Sequence, residues 1–171
     1  TWVDFQAKNN NELVAILGNF INRVFVLCHK YWAGKIPQKN ELEKIDSEII
    51  QKIENCPIAI GRHIENYKFR LAIQTLIDLA RAGNKYLADT EPWKLFKDER
   101  NKSRTETILN ISTQLIATLS IVCEPFMPFT AHKISSMLGI EKGTWTEAGN
   151  AAKIKPGHTL KQPCLLFRKI E

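Results

Sequence analysis

Apolar residues that recur three and four apart, in stretches closed off by proline and glycine, constrain this chain more than any other feature of its sequence. From about Asp4 to Tyr31, the residues Leu13, Ile16, Leu17, Phe20, Val24, Leu27 and Cys28 form one apolar stripe of a long helix, which Gly34 and Pro37 stop. In "ELEKIDSEIIQKIE", Leu42, Ile45, Ile49 and Ile53 repeat helically among charges of both signs, predicting a shorter surface helix that ends at Pro57. A third pattern starts near Gly61 to Tyr67, runs through Phe69, Ile73, Leu76, Ala80, Gly83 and Leu87, and stops before Pro92. Its small residues admit close approach by a neighbouring helix. A short helix restarts at Pro92 with Asp89 and Thr90 as candidate caps, because proline suits the first helical position. Ile108, Ile111, Leu115, Ala117, Leu119 and Val122 carry another helix toward Pro125 and Pro128, and a last one over Thr130 to Leu138 ends at Gly139.

Beyond Gly143 the helical period is lost. Gly149, Pro156, Gly157 and Pro163 punctuate irregular chain up to "CLLFRKI", which predicts a small hairpin and a short final helix. The fold class is all-α: a bundle of about five or six helices over residues 1–143, with an irregular C-terminal extension over 144–171.

Composition narrows the function. With 44% hydrophobic and 25% charged residues, the chain lies in the globular range. No unbroken apolar run approaches the roughly 20 residues of a membrane span, and "TWVDFQAKNN" has no signal-peptide core, so a cytoplasmic location without a membrane partner is expected. Cys28, Cys56, Cys123 and Cys164 form no C-x-x-C pair, and His29, His63, His132 and His158 lie far apart, so no metal site is expected. Phosphate-binding loops, zinc-protease motifs and serine elbows are absent, and Asp78 has no second carboxylate to share acid–base work. No catalytic residue is assigned.

The net charge of +6 fits a polyanionic partner. Lys94, Lys97, Arg100, Lys102 and Arg104 outnumber Asp98 and Glu99 just after Trp93, a local basic excess that suits phosphates; a solvated helix start reads the same way. Asn19 and Arg23 are four apart and share a helix face beside the apolar stripe. An amide and a guanidinium can read the edge of an unpaired base, or they can bond one another on the helix surface. Trp93, fixed on the Pro92 corner, can stack on a base or fill a gap between helices.

Four segments, "NNNELVAILGNFINR" (Asn9 to Arg23), "NKYLADTEPWKLFKD" (Asn84 to Asp98), "CEPFMPFTAHKISSMLG" (Cys123 to Gly139) and the closing "GHTLKQPCLLFRKIE", resemble in order the anticodon-binding half of bacterial methionyl-tRNA synthetases, class I aminoacyl-tRNA synthetases. The resemblance implies a helical bundle that follows a catalytic Rossmann domain and recognises the CAU anticodon of initiator and elongator methionine tRNAs. It implies that Trp93, held on the Pro92 corner, stacks on the first anticodon base and that Asn19 and Arg23 bond base edges; from the local basic excess, Lys94 and Lys97 are expected to position phosphates. Where the family often has a further asparagine, this chain has Ala15. The parent would be a methionine–tRNA ligase using ATP with Mg2+ and often a structural Zn2+, all in an upstream half, leaving no cofactor here. The closing "LLFRKI" would pack back toward that half, and an OB-fold that dimerises many members would lie beyond Glu171. The rival readings are the equivalent domain of another class I synthetase and a non-catalytic helical adaptor that binds protein.

Overall fold

The computed structural model describes residues 1–171, and its regular structure is all helical, with one isolated antiparallel bridge, Lys35 to Thr159, as its only extended pairing. The opening helix is unbroken from Trp2 to Trp32. It comprises α1 (Trp2–Lys8), a π-helical stretch (Asn9–Gly18) and α2 (Asn19–Trp32). Thr1 caps it through its hydroxyl, which accepts the Asp4 N–H at 3.2 Å. Ala33 and Gly34, both left-handed, end it. Then follow α3 (Lys44–Glu65), α4 (Phe69–Thr90), the single turn α5 (Pro92–Leu95), α6 (Lys102–Val122) and α7 (Pro128–Leu138).

Several boundaries depart from the periodicity. Pro57, expected to end its helix, sits buried inside α3. An interior proline costs about 3 kcal/mol. Burial of Ile53, Cys56, Pro57 and Ile60 on the same helix outweighs that cost. The break comes instead at Tyr67, whose φ of 57° is left-handed, so α4 starts at Phe69. Neither Asp89 nor Thr90 caps α5: Asp89 pairs with Lys85, Thr90 donates back to the Tyr86 carbonyl, and the reversal is made by Glu91 at a φ of 45°. The opening helix is also long and apolar enough to cross a membrane, with a mean hydropathy of 1.4, which counting unbroken apolar runs did not register. Its inner residues Leu17, Phe20, Ile21, Val24 and Phe25 are sealed inside the bundle.

The central element is α6, in which every residue from Thr107 to Val122 is buried, polar ones included. The irregular extension makes that possible. Gln114 receives the Ile154 N–H at 2.9 Å and donates to the Ile154 carbonyl at 2.8 Å, and Thr118 accepts the Gly149 N–H at 3.1 Å. No buried side-chain polar atom is left without a partner. Asn110 donates to the Pro37 carbonyl at 2.8 Å. The extension is thus part of the core, with Ile154 and Leu160 in the same cluster as the helices.

Neither the hairpin nor the final helix forms. The closing segment runs extended along the opening helix, which holds its backbone: Ile170 N–H to Asn10 Oδ1 at 2.9 Å, Asn10 Nδ2 to the Ile170 carbonyl at 2.9 Å and Asn9 Nδ2 to the Arg168 carbonyl at 3.0 Å. Phe167 packs where Gly18 leaves room; a Cβ there would lie 3.2 Å from its ring. Side-chain amides on the helix satisfy this backbone, so it does not need a helix of its own.

Three helices are tied by one buried carboxylate. Asp46, fully buried at the start of α3, receives the Tyr86 hydroxyl of α4 at 2.5 Å, Arg104 of α6 through Nη1 at 2.5 Å and Nη2 at 2.9 Å, and the Glu43 N–H at 2.8 Å. Burial pushes its pKa up, but the bonds from Arg104, Tyr86 and Glu43 outweigh burial and hold the carboxyl below its ordinary value. Removing one partner of such a buried pair costs about 3–5 kcal/mol, so Asp46→Asn should lower unfolding stability by that order in urea titration at neutral pH. A depressed folded pKa contributes stability above the unfolded value, near 3.9, that is lost as pH falls through the folded one. Wild type should therefore lose stability below about pH 4 more steeply than Asp46→Asn.

Candidate nucleic-acid interface

The corner carrying Trp93 is built by packing. Left-handed Glu91 turns the chain out of α4, and buried Pro92 opens α5. Phe96, just after α5, stacks on Tyr31 with centroids 3.9 Å apart and meets Trp32 edge-on at 5.3 Å, which clamps the corner to the end of α2. Trp93 is half-buried, its body packed on the core. The Arg23 guanidinium carbon lies 5.2 Å from its ring centroid, one helical face back along α2. Between them opens a groove of about 280 Å3 lined by Asn22, Arg23, Val26, Leu27 and Trp93.

Asn19 and Arg23 do not bond each other. Both donate at 3.4 Å to the side-chain oxygen of Asn84 on α4, whose own amide donates to the Ile16 carbonyl at 2.9 Å. Asn84 therefore sets the spacing of the two groups and ties them to the π-helical stretch, a kind of distortion that frequently marks functional sites. Asn19 is exposed but lies outside the Trp93 groove; Asn22 occupies the place beside Arg23. Sequence reasoning passed over Asn22, Val26 and Asn84. Val26 carried a signal, an apolar residue out of phase with the buried stripe and 46% exposed. Asn84 carried none, because its partners on the opening helix are 61 to 68 residues away.

The basic run is largely neutralised within the chain. Lys94 pairs with Glu91 at 2.7 Å, Arg100 with Asp98 at 2.8 Å and Lys102 with Glu99 at 3.2 Å, while Arg104 turns inward to Asp46 and Glu43. Lys97 is exposed and makes no ion pair. The exposed pairs are weak enough for a phosphate to compete with them; the inward pair of Arg104 is not.

No three His, Cys, Asp or Glu side chains converge to hold a metal ion. His29 and His158 bond the carbonyls of Lys161 and Leu138, at 3.0 and 2.7 Å. Burial pushes the thiols of Cys28, Cys56 and Cys123 up to about 12, whereas Cys164 is exposed.

The helical bundle is a fold found within solved aminoacyl-tRNA synthetases. The apo methionyl-tRNA synthetase of Mycobacterium tuberculosis superposes with a TM-score of 0.87 at 23% identity, over 97% of this chain and 34% of that one. The same enzyme with methionyl-adenylate gives 0.85 at 24% identity, over 94% and 32%. Residues 36–171 match the sequence model of the anticodon binding domain of methionyl tRNA ligase, and the chain belongs to that family. It is 52% identical over 171 residues to the methionine–tRNA ligase of Cytophaga hutchinsonii and 48% identical to that of Bacteroides fragilis strain YCH46. It spans about a quarter of the length of these curated relatives, 24% and 25%. The matched range includes Trp93 but begins after Asn19 and Arg23.

The contrast among the thiols predicts a simple labelling result. One thiol per folded chain, Cys164, should react rapidly with a disulfide reagent near pH 8, and four should react in denaturant; more than one fast thiol in the folded chain would contradict the packing.

Proposed function

We propose that the chain reads the CAU anticodon of methionine tRNAs, with the first anticodon base stacking on Trp93 above the Pro92 corner and its edge bonded by Arg23. The observation that carries this reading is the half-buried indole capped by a guanidinium that has no carboxylate partner. A base entering the groove takes over the indole face and receives the donors of Arg23, whose planar fork suits an acceptor edge. Asn19 contributes from the adjacent turn of α2, and Asn84 holds the two in register. Lys97, and Lys94 once released from Glu91, position phosphates.

The whole protein, in this reading, attaches methionine to its tRNA in an ATP-dependent reaction in the cytoplasm. The side chains present here do not fit Mg2+ or Zn2+, which belong with the catalytic half. The exposed apolar side chains Trp2, Val3, Phe5 and Leu165 are surface suited to packing against that half.

A fluorescence titration with a CAU stem-loop tests the reading, using loops altered at the first anticodon base as controls. Trp93→Ala should abolish the specific part of the quenching, with Trp2, Trp32 and Trp145 as background, and weaken binding by about 1–3 kcal/mol. Arg23→Ala should erode discrimination at the first base more than attachment. Lys97→Ala should weaken all loops alike and reduce the salt slope by about one, and Lys94→Ala should do so less. Binding indifferent to loop sequence would leave only electrostatic attachment; no binding would favour a protein-binding adaptor.

A further inference from the structure

The hairpin of α3 and α4 carries a face that none of the contacts described above uses. Between the two helices lies a groove of about 550 Å3, against about 280 Å3 for the one at Trp93. Cys56, Ala59, Leu79 and Ala82 form its floor, and Glu48 and Asp78 stand on its rim. Glu48, Lys52, Cys56 and Ala59 recur three and four apart along α3, as Thr75, Asp78 and Ala82 do along α4, so each helix offers one continuous wall. Arg62 continues the first wall toward the turn, and Leu71 continues the second.

The turn end of this face is apolar and cationic. Tyr67 is 83% exposed on a left-handed backbone that strains any residue with a Cβ, and Leu71 is 48% exposed. Arg62, Lys68 and Arg70 are exposed and pair with no carboxylate, and Glu65 is the one acid among them. The groove end holds the acids. Glu48 reaches Lys44 only at 3.9 Å, and Asp78 is paired with Arg81 in the open; Lys52, beside them, has no partner. Exposed pairs of this kind contribute little and exchange readily.

We propose that this face seats a second copy of the chain, packed about a two-fold axis that crosses the groove at Asn55. A two-fold contact uses the same patch on both partners, so one chain must carry both halves of it. This chain does: protruding apolar side chains with unpaired cations lie at one end, and a recess with acids lies at the other. Asn55 lines the middle of the groove, seven residues from Glu48 and seven from Arg62. An axis there sets the two hairpins antiparallel, lays Arg62 of each copy over Glu48 of the other, and carries each Leu71 into the opposite recess toward Ala82. The four helices then pack as an antiparallel bundle. A parallel pairing would set like charges together, which selects against it. The proposal stands apart from the anticodon reading, because neither Arg23 nor Trp93 lines this groove.

Sedimentation equilibrium of the chain between about 1 and 500 μM tests the pairing, since dimer population follows protomer concentration. The mean mass should rise with concentration from the 19.6 kDa of one chain toward twice that value. Leu71→Asp, at an exposed position, should raise the dimer dissociation constant at least about tenfold. Arg62→Glu and Glu48→Arg should each raise it about fivefold, and the double swap, which restores opposite charges at both symmetric contacts, should recover most of the loss. Lys155→Glu, an exposed change of charge outside the face, should leave association unchanged. A chain that stays monomeric throughout overturns the proposal, as does association indifferent to Leu71→Asp or a double swap no better than either single one. A monomeric chain whose Arg62→Glu variant loses affinity for a transfer RNA gives the face to RNA and also overturns the second copy. All of these outcomes leave the Trp93 reading where the stem-loop titration puts it.

Discussion

The buried carboxylate of Asp46 is the contact on which the remaining geometry depends. A charge withdrawn from water must be matched by hydrogen bonds, and this one is matched from three helices at once, by Tyr86, Arg104 and the start of its own helix. Apolar packing alone tolerates sliding of one helix over another; a bidentate guanidinium and a phenol hydroxyl on the same carboxylate do not. Tyr86 stands one turn before the end of α4, two residues after Asn84 and seven before Trp93. The hub therefore fixes where α4 ends, and with it the corner that aims the indole and the amide that spaces Asn19 and Arg23. Gly83 completes the registration: a Cβ there would meet the Phe20 ring at 2.6 Å, so the Phe20 ring of α2 lies directly on the α4 backbone just beside Asn84.

Helical content and the bundle class were legible because the apolar period is a property of each segment alone. The failures share one cause, partners distant in sequence. Pro57 reads as a stop until its burial against neighbouring elements is counted, and nothing in the α6 segment alone shows that Gln114 and Thr118 bind the extension. "CLLFRKI" has helical residues but no helix, because Asn9 and Asn10 satisfy its backbone from 159 and 160 residues away. At the candidate site, Asn19, Arg23 and Trp93 stood out as residue types in suggestive places. Their spacing, with Asn19 outside the Trp93 groove, did not, since it depends on Asn84 from α4.

The charge pattern shows why counting is a poor guide to a binding face. The five basic residues after Trp93 look like a phosphate cradle, yet four of them have carboxylate partners and one, Arg104, points into the core. Arg23 lacks any acid and rests on an aromatic face instead. At the groove, where directional donors matter, the cation is thus free of an intramolecular carboxylate, whereas on the rim Lys94, Arg100 and Lys102 are paired, Lys97 is not, and all four contribute attachment that salt can remove.

That arrangement also explains how the site can be ordered before RNA arrives and still release its own contacts. Arg23 is only partly buried, and a guanidinium over an indole near the surface gains on the order of 0.5–1 kcal/mol, against roughly 1–3 kcal/mol for a base stacked on an aromatic ring. The bonds from Asn19 and Arg23 to Asn84, at 3.4 Å, are near the limit for hydrogen bonds and are lost at little cost. A base therefore replaces weak contacts with stronger ones, while the parts that must not move, the corner and α4, are held by buried contacts it never touches. Because Arg23 already lies over the indole, the side chain that reads the base starts within reach of it, and little rotamer freedom is left to lose on binding.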